Sequence, residues 1–237
     1  MPDAFELEGK QLALLESGIA TDSVAGEDQT AVPRPLVLLN TFAGEAAAVH
    51  KACAALGCPP FTLACISGMD WNADLSPWEL PPLRKNGEAF SGKADSYLDF
   101  LCGRALPAIL GRLSAASAYL VLAGYSLAGL FALYAAHKTD RFSRIVAASP
   151  SAWFPRFVDF VRATPFAKTP GRIYLSLGDK ESKTKNPLLA TVQNNAESLA
   201  DFYKTRGIKT VFELNRGKHF ADNDVRIAKG IKWILEE

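Results

Sequence analysis

Histidine is scarce in this chain, three in 237 residues, and that scarcity limits the metal chemistry it can host. His50 and His137 fall inside helical patterns, and the histidines and cysteines together show no zinc-cluster spacing, so a zinc cluster is not expected. Cys53, Cys58, Cys65 and Cys102 form no C-x-x-C unit and sit in or beside apolar segments. They read as reduced, mostly buried thiols rather than a disulfide framework. No apolar run approaches the ~20 residues that span a bilayer. The start, MPDAFELEGKQ, has neither the basic region nor the apolar stretch of a secretory signal. Charge asymmetry is missing too: 26 basic against 25 acidic residues leave a net charge of +1. That balance gives no electrostatic case for nucleic acid or an anionic membrane as a partner. A soluble cytoplasmic protein is expected.

What is present is an ordinary globular composition, 49% apolar and 22% charged, on a length that suits one sizeable α/β domain over residues 1–237. Residues 4–16 alternate as an antiparallel edge strand or hairpin, and 17–34 read as a polar connection. Strands and helices then alternate: strand 35–40, helix 44–56, strand 61–67, helix 93–115, strand 118–123, helix 127–138, strand 144–148 and a short helix at 155–163. Strand 172–177, helix 187–206, strand 210–214 and helix 222–235 complete the pattern. Such alternation implies a mostly parallel sheet covered by helices on both faces. Residues 68–92 break the rhythm with three prolines and two tryptophans. A connection this long in a compact domain usually covers a site, so it is expected to cap or wall the pocket.

The most informative segment is YLVLAGYSLAG at residues 119–129, where an apolar run stops at a turn of small residues and a helical pattern follows. A serine on such a strand-turn-helix elbow is lifted above the sheet edge and faces the N-terminus of the next helix, which suits a nucleophile. Gly124 lets the turn approach the strand; Ala128 stands where the G-x-S-x-G pattern ends in glycine, and adds one methyl group. Serine at neutral pH needs a base within hydrogen-bond reach and an acid to orient that base. His219, in NRGKHF between the last strand and the last helix, is the histidine placed to serve Ser126. The acid should come from LSLGDKESKTKN. Glu181, three positions after Gly178, is favoured, with Asp179, nearer the strand and shorter, as the alternative. Nucleophile, acid and base then follow in the chain order of one of the three familiar serine-triad scaffolds.

An oxyanion would be met by the backbone N–H of Leu127 at the helix start and by a second donor in the loop after strand 35–40, Phe42 or its neighbour Thr41. Trp153, Trp71 and Trp78 are candidates for an apolar or sugar-stacking wall, and Tyr125 beside the serine joins them as a substrate contact.

GYSLAGLFALYA, ASPSAWF, LSLGDKE and GKHF, in this order, resemble the α/β-hydrolase superfamily, in particular the esterase branch that includes esterase D-like and siderophore esterases. The resemblance runs from about residue 35 to the C-terminus. It implies an α/β-hydrolase fold with a short loop cap, a triad of Ser126, His219 and Glu181 or Asp179, an acyl-enzyme, no cofactor and no metal. The expected activity is hydrolysis of a carboxylic ester of a small or medium-sized soluble substrate. Thioesterase or acyltransferase chemistry uses the same groups, and a hydrolase-like protein that binds without turnover is the non-enzymatic alternative. The oligomeric state is left open, a homo-oligomer included.

Overall fold

The computed structural model describes residues 3–17, 32–42 and 44–236, so most of the connection expected at 17–34 lies outside the described residues. Among them the main sheet has eight strands in the order β1-β2-β4-β3-β7-β8-β9-β10. The hairpin of β1 (Asp3–Leu7) and β2 (Lys10–Glu16) lies antiparallel along the edge of β4 (Thr62–Ser67). β4, β3 (Leu36–Asn40), β7 (Leu120–Tyr125), β8 (Arg144–Ala148), β9 (Arg172–Gly178) and β10 (Lys209–Asn215) run parallel.

The inner parallel strands are covered on both faces, so their sequences are near-continuous apolar runs whose alternate residues enter different cores, whereas the edge strand β10 is only partly buried. Leu36 and Leu38 pack with helices α3 (Ala94–Phe100), α4 (Leu106–Leu110), α5 (Leu127–Lys138), α6 (Phe157–Ala163) and α7 (Val192–Thr205). Val37 and Leu39 pack with α1 (Ala46–Ala55) and α8 (Asn223–Leu235) on the other face. Every residue of β3 is buried, and each such aliphatic side chain stabilises the fold by roughly 1.5–3 kcal/mol. α5 is buried along its length except for its last residue, Lys138, as befits a helix apolar on all sides. No helix among the described residues is long and apolar enough to cross a membrane.

Two segments differ from the sequence expectation. Residues 68–92 are built rather than irregular: a turn of helix, α2 (Trp71–Asp74), capped by the Asp70 side chain on the Ala73 N–H, is followed by a ladder of β5 (Glu79–Leu80) and β6 (Phe90–Ser91). Ser76 ties the two halves, donating to the Asn72 carbonyl at 2.7 Å and accepting from the Gly92 N–H at 2.9 Å. Two-residue strands are too short to show a period. The helix expected at 93–115 passes through a π-helical turn, Leu101–Ala105, between α3 and α4. Pro107 lies in the turn that follows; its ring cannot pack against a regular preceding turn and it has no N–H to donate, so the widened register absorbs it.

β3 and β7 are neighbours, yet the chain leaves β3 toward β4 on one side and continues from β7 toward β8 on the other. A crevice opens at such a switch point, outside the carboxyl ends of the strands. Asn40 and Gly124 stand side by side there, at the ends from which the loop 41–45 and the elbow depart.

Candidate active site

Ser126 has φ 59° and ψ −122°, a backbone conformation that a residue with a Cβ adopts only under constraint. The constraint is visible. Its N–H donates to the Ala148 carbonyl at 3.1 Å, and its carbonyl accepts from Leu130 at 3.1 Å and Ser151 at 3.0 Å. A Cβ on Gly124 would lie 2.3 Å from backbone atoms of Ala128, so glycine is required there. Ala128 fits, fully buried, because its methyl faces that glycine, and Gly129 takes the close approach to the Ala148 carbonyl and Pro150.

The His219 loop brings Nε2 to 2.9 Å from Ser126 Oγ and Nδ1 to 2.6 Å from Glu181 Oε2. With Glu181 ionised, Nδ1–H donates to the carboxylate and Nε2 is left to accept from the serine hydroxyl. Glu181 Oε1 accepts from the Gly178 N–H at 2.6 Å, the Ser149 hydroxyl at 2.9 Å and Arg226 Nη1 at 2.9 Å. Burial pushes this carboxyl upward. The His219 hydrogen bond and charge, with the Gly178 and Ser149 donors, outweigh it and hold Glu181 below the ordinary glutamate value.

Asp179, the alternative acid, does not reach the imidazole. Its Oδ1 accepts from the Gly217 N–H at 2.8 Å, and that bond is the main reason its carboxyl is held low. It pins the loop that carries His219. Tyr125, expected against substrate, is also committed elsewhere: its hydroxyl donates to the His219 carbonyl and accepts from Arg226 Nη1 at 3.1 Å. Ser149, Ser151 and Arg226 were not singled out by sequence. Ser151 Oγ lies 3.4 Å from Ser126 Oγ. Arg226 occupies a buried turn of α8, four positions before Gly230, and a basic residue aligned with that buried stripe was the available signal.

Among the expected oxyanion donors, Thr41 is corrected: its N–H already donates to the Ile66 carbonyl at 2.9 Å, continuing the β3–β4 ladder. The Phe42 N–H instead donates to the Glu45 carboxylate at 2.8 Å. Leu127 opens α5, whose first turn receives no cap from the Ser126 side chain, so that side chain does not occupy the turn's N–H groups.

The aromatic residues named for a wall lie in different surroundings. Trp78 does not serve a wall: the indole N–H donates to the Pro155 carbonyl at 3.1 Å, and the ring packs among Phe154, Phe157 and Phe160. It anchors the 68–92 excursion to α6. Trp71 meets Phe42 edge-on at 5.5 Å, and Trp153, half-buried, packs on Phe90 and Phe154. Phe220, directly after His219, is 90% exposed and stands edge-on to the imidazole at 5.0 Å. Among the described residues no three His, Cys, Asp or Glu side chains converge as a metal site.

Residues 40–222 match the family model described as Putative esterase, and the chain belongs to that family. It is a carboxylic ester hydrolase on an α/β-hydrolase fold. The BES protein of Bacillus cereus superposes with a TM-score of 0.75 at 18% identity, over 100% of this chain and 96% of that one. A siderophore hydrolase of Aspergillus nidulans gives 0.70 at 18% identity, over 99% and 93%. The enterobactin esterase of Shigella flexneri, solved in the presence of enterobactin, gives 0.69 at 20% identity, over 99% of this chain and 58% of that one. No curated protein matches the sequence.

Proposed function

We propose that the chain is a serine esterase in which Ser126 is the nucleophile, His219 the general base and acid, and Glu181 the group that orients and stabilises the imidazole. The observation that carries this reading is the unbroken line from Ser126 Oγ through His219 to Glu181, 2.9 and 2.6 Å, on a strained elbow. Ser126 Oγ attacks the ester carbonyl as His219 Nε2 takes its proton. The tetrahedral oxyanion is met by the N–H groups of Leu127 and of Phe42, the latter exchanging Glu45 for the oxyanion. Collapse expels the alcohol with the proton from His219 and leaves the acyl-serine. Water, deprotonated by His219, then releases the acid and restores the serine.

The substrate is a small or medium-sized soluble ester with an apolar, planar portion. Phe220, edge-on to the His219 imidazole, and Phe42, edge-on to Trp71 in the loop after β3, support this, since both are largely exposed. Because a siderophore hydrolase and an enterobactin esterase share this fold, siderophore-type esters belong in the panel beside aryl and short alkyl esters. The direct test is reaction with a fluorophosphonate probe and mapping of the adduct by mass spectrometry. One adduct on Ser126, lost in His219→Ala, is expected. A folded protein that takes up no probe would overturn the reading and favour a pocket that binds without turnover.

A further inference from the structure

Arg226 is 1% exposed, and a charge that deep must be paired; its Nε finds no acceptor among the described residues, so the two terminal nitrogens do the bonding. Nη1 donates to Glu181 Oε1 at 2.9 Å, Ser149 Oγ at 3.1 Å and Tyr125 Oη at 3.1 Å. Nη2 donates to the carbonyls of Lys218 at 3.1 Å and Arg216 at 3.3 Å. These partners come from separate parts of the chain. Tyr125 immediately precedes Ser126, Ser149 follows β8, Glu181 is in the loop after β9, and Arg216 and Lys218 lie in the turn that leads into His219. Tyr125 closes a second circuit by donating to the His219 carbonyl.

We infer that Arg226 is a positioning residue for the proposed reaction, a single buried guanidinium that sets the Ser126, Glu181 and His219 strand ends in mutual register. The inference rests on the triad reading above. The planar fork of a guanidinium suits the task, because two terminal nitrogens in fixed geometry present four N–H groups that the five acceptors share, whereas an ammonium is a point charge on a flexible stem. The carboxylate is held asymmetrically. Oε1 takes three donors, from Gly178, Ser149 and Arg226, and Oε2 is left for His219 Nδ1. Loss of Arg226 would leave a buried carboxylate with fewer charged partners, which favours its protonated form. It would also free the 216–218 turn and with it the imidazole.

The groups that face Glu181 are His219 from the β10–α8 loop, Arg226 from α8 and the Ser149 hydroxyl, with the Tyr125 phenol reached through Arg226. Asp179, two residues before it, is turned to Gly217. Arg226→Met should therefore lower kcat by about 100-fold, the scale of a displaced catalytic group, with KM changed much less. The acidic limb of its kcat–pH profile should move to higher pH. Arg226→Lys keeps a charge but not the fork; it should return the limb toward wild type while restoring only part of kcat. A folded Arg226→Met with wild-type kcat and an unmoved acidic limb would overturn the role. If Arg226→Met does not fold, Arg226→Lys decides alone: reduced kcat on a folded protein supports the role, and full kcat overturns it. Fluorophosphonate labelling of wild type separates the two levels. No label on Ser126 removes the triad reading and this role with it, whereas a labelled wild type beside indifferent variants removes only the role of Arg226.

Discussion

Glu181 presents one carboxylate oxygen to the protein and the other to His219, and this division separates two substitutions that look alike on paper. Glu181→Gln offers an amide where the imidazole needs an acceptor, so kcat should fall by about 10³–10⁴, measured on whichever ester the panel selects. Asp179→Asn disturbs only the Gly217 contact and should leave kcat within about tenfold. The depressed Glu181 carboxyl also has a stability consequence. Its folded value lies below its unfolded value, so it stabilises the protein above the unfolded value and loses that contribution as pH falls through the folded one. The Tm difference between wild type and Glu181→Gln should be largest near neutrality and shrink in acid; a pH-independent difference would contradict it. The proposed grouping of Ser126, His219 and Glu181 was legible in the sequence because each follows a strand, and the structure joins the three by hydrogen bonds. Arg226 escaped because its place on the apolar stripe of α8 signals burial but not which acceptors its guanidinium would bind.

Elements carry the site through a few close approaches. A side chain at Gly124 would collide with the backbone of α5 at 2.3 Å. Gly124→Ala should therefore destabilise by several kcal/mol or displace the elbow, read as a lowered Tm and slower fluorophosphonate labelling. Trp78→Ala removes a packed indole that touches α6 rather than the serine. It should cost about 3–5 kcal/mol in urea unfolding, with little change in KM; a large KM effect would return Trp78 to the substrate wall. The parallel strands were legible because their burial on both faces writes itself as unbroken apolar runs. The excursion at 68–92 and the π turn before Pro107 were not. The former is tied within itself by Ser76 and anchored to a distant part of the chain by Trp78, and the latter shifts a hydrogen-bond register without altering the apolar period.

At the scale of the molecule, the order β4-β3-β7-β8 is what turns separate loop ends into one site, and alternation of strands and helices does not specify it. Once β3 and β7 are neighbours, the 41–45 loop and the elbow share an edge, and the loops after β8, β9 and β10 line up beyond them. The contact between Glu45 and Phe42 then bears on how turnover ends. The acid released by hydrolysis is itself a carboxylate, and it competes for the Phe42 N–H with a carboxylate tethered three residues away. A tethered group acts at an effective concentration in the millimolar range or above, and its negative charge repels the product. The enzyme should accordingly be cleared of its own product after each cycle, and inhibition by the free acid should be weak in wild type and stronger in Glu45→Gln.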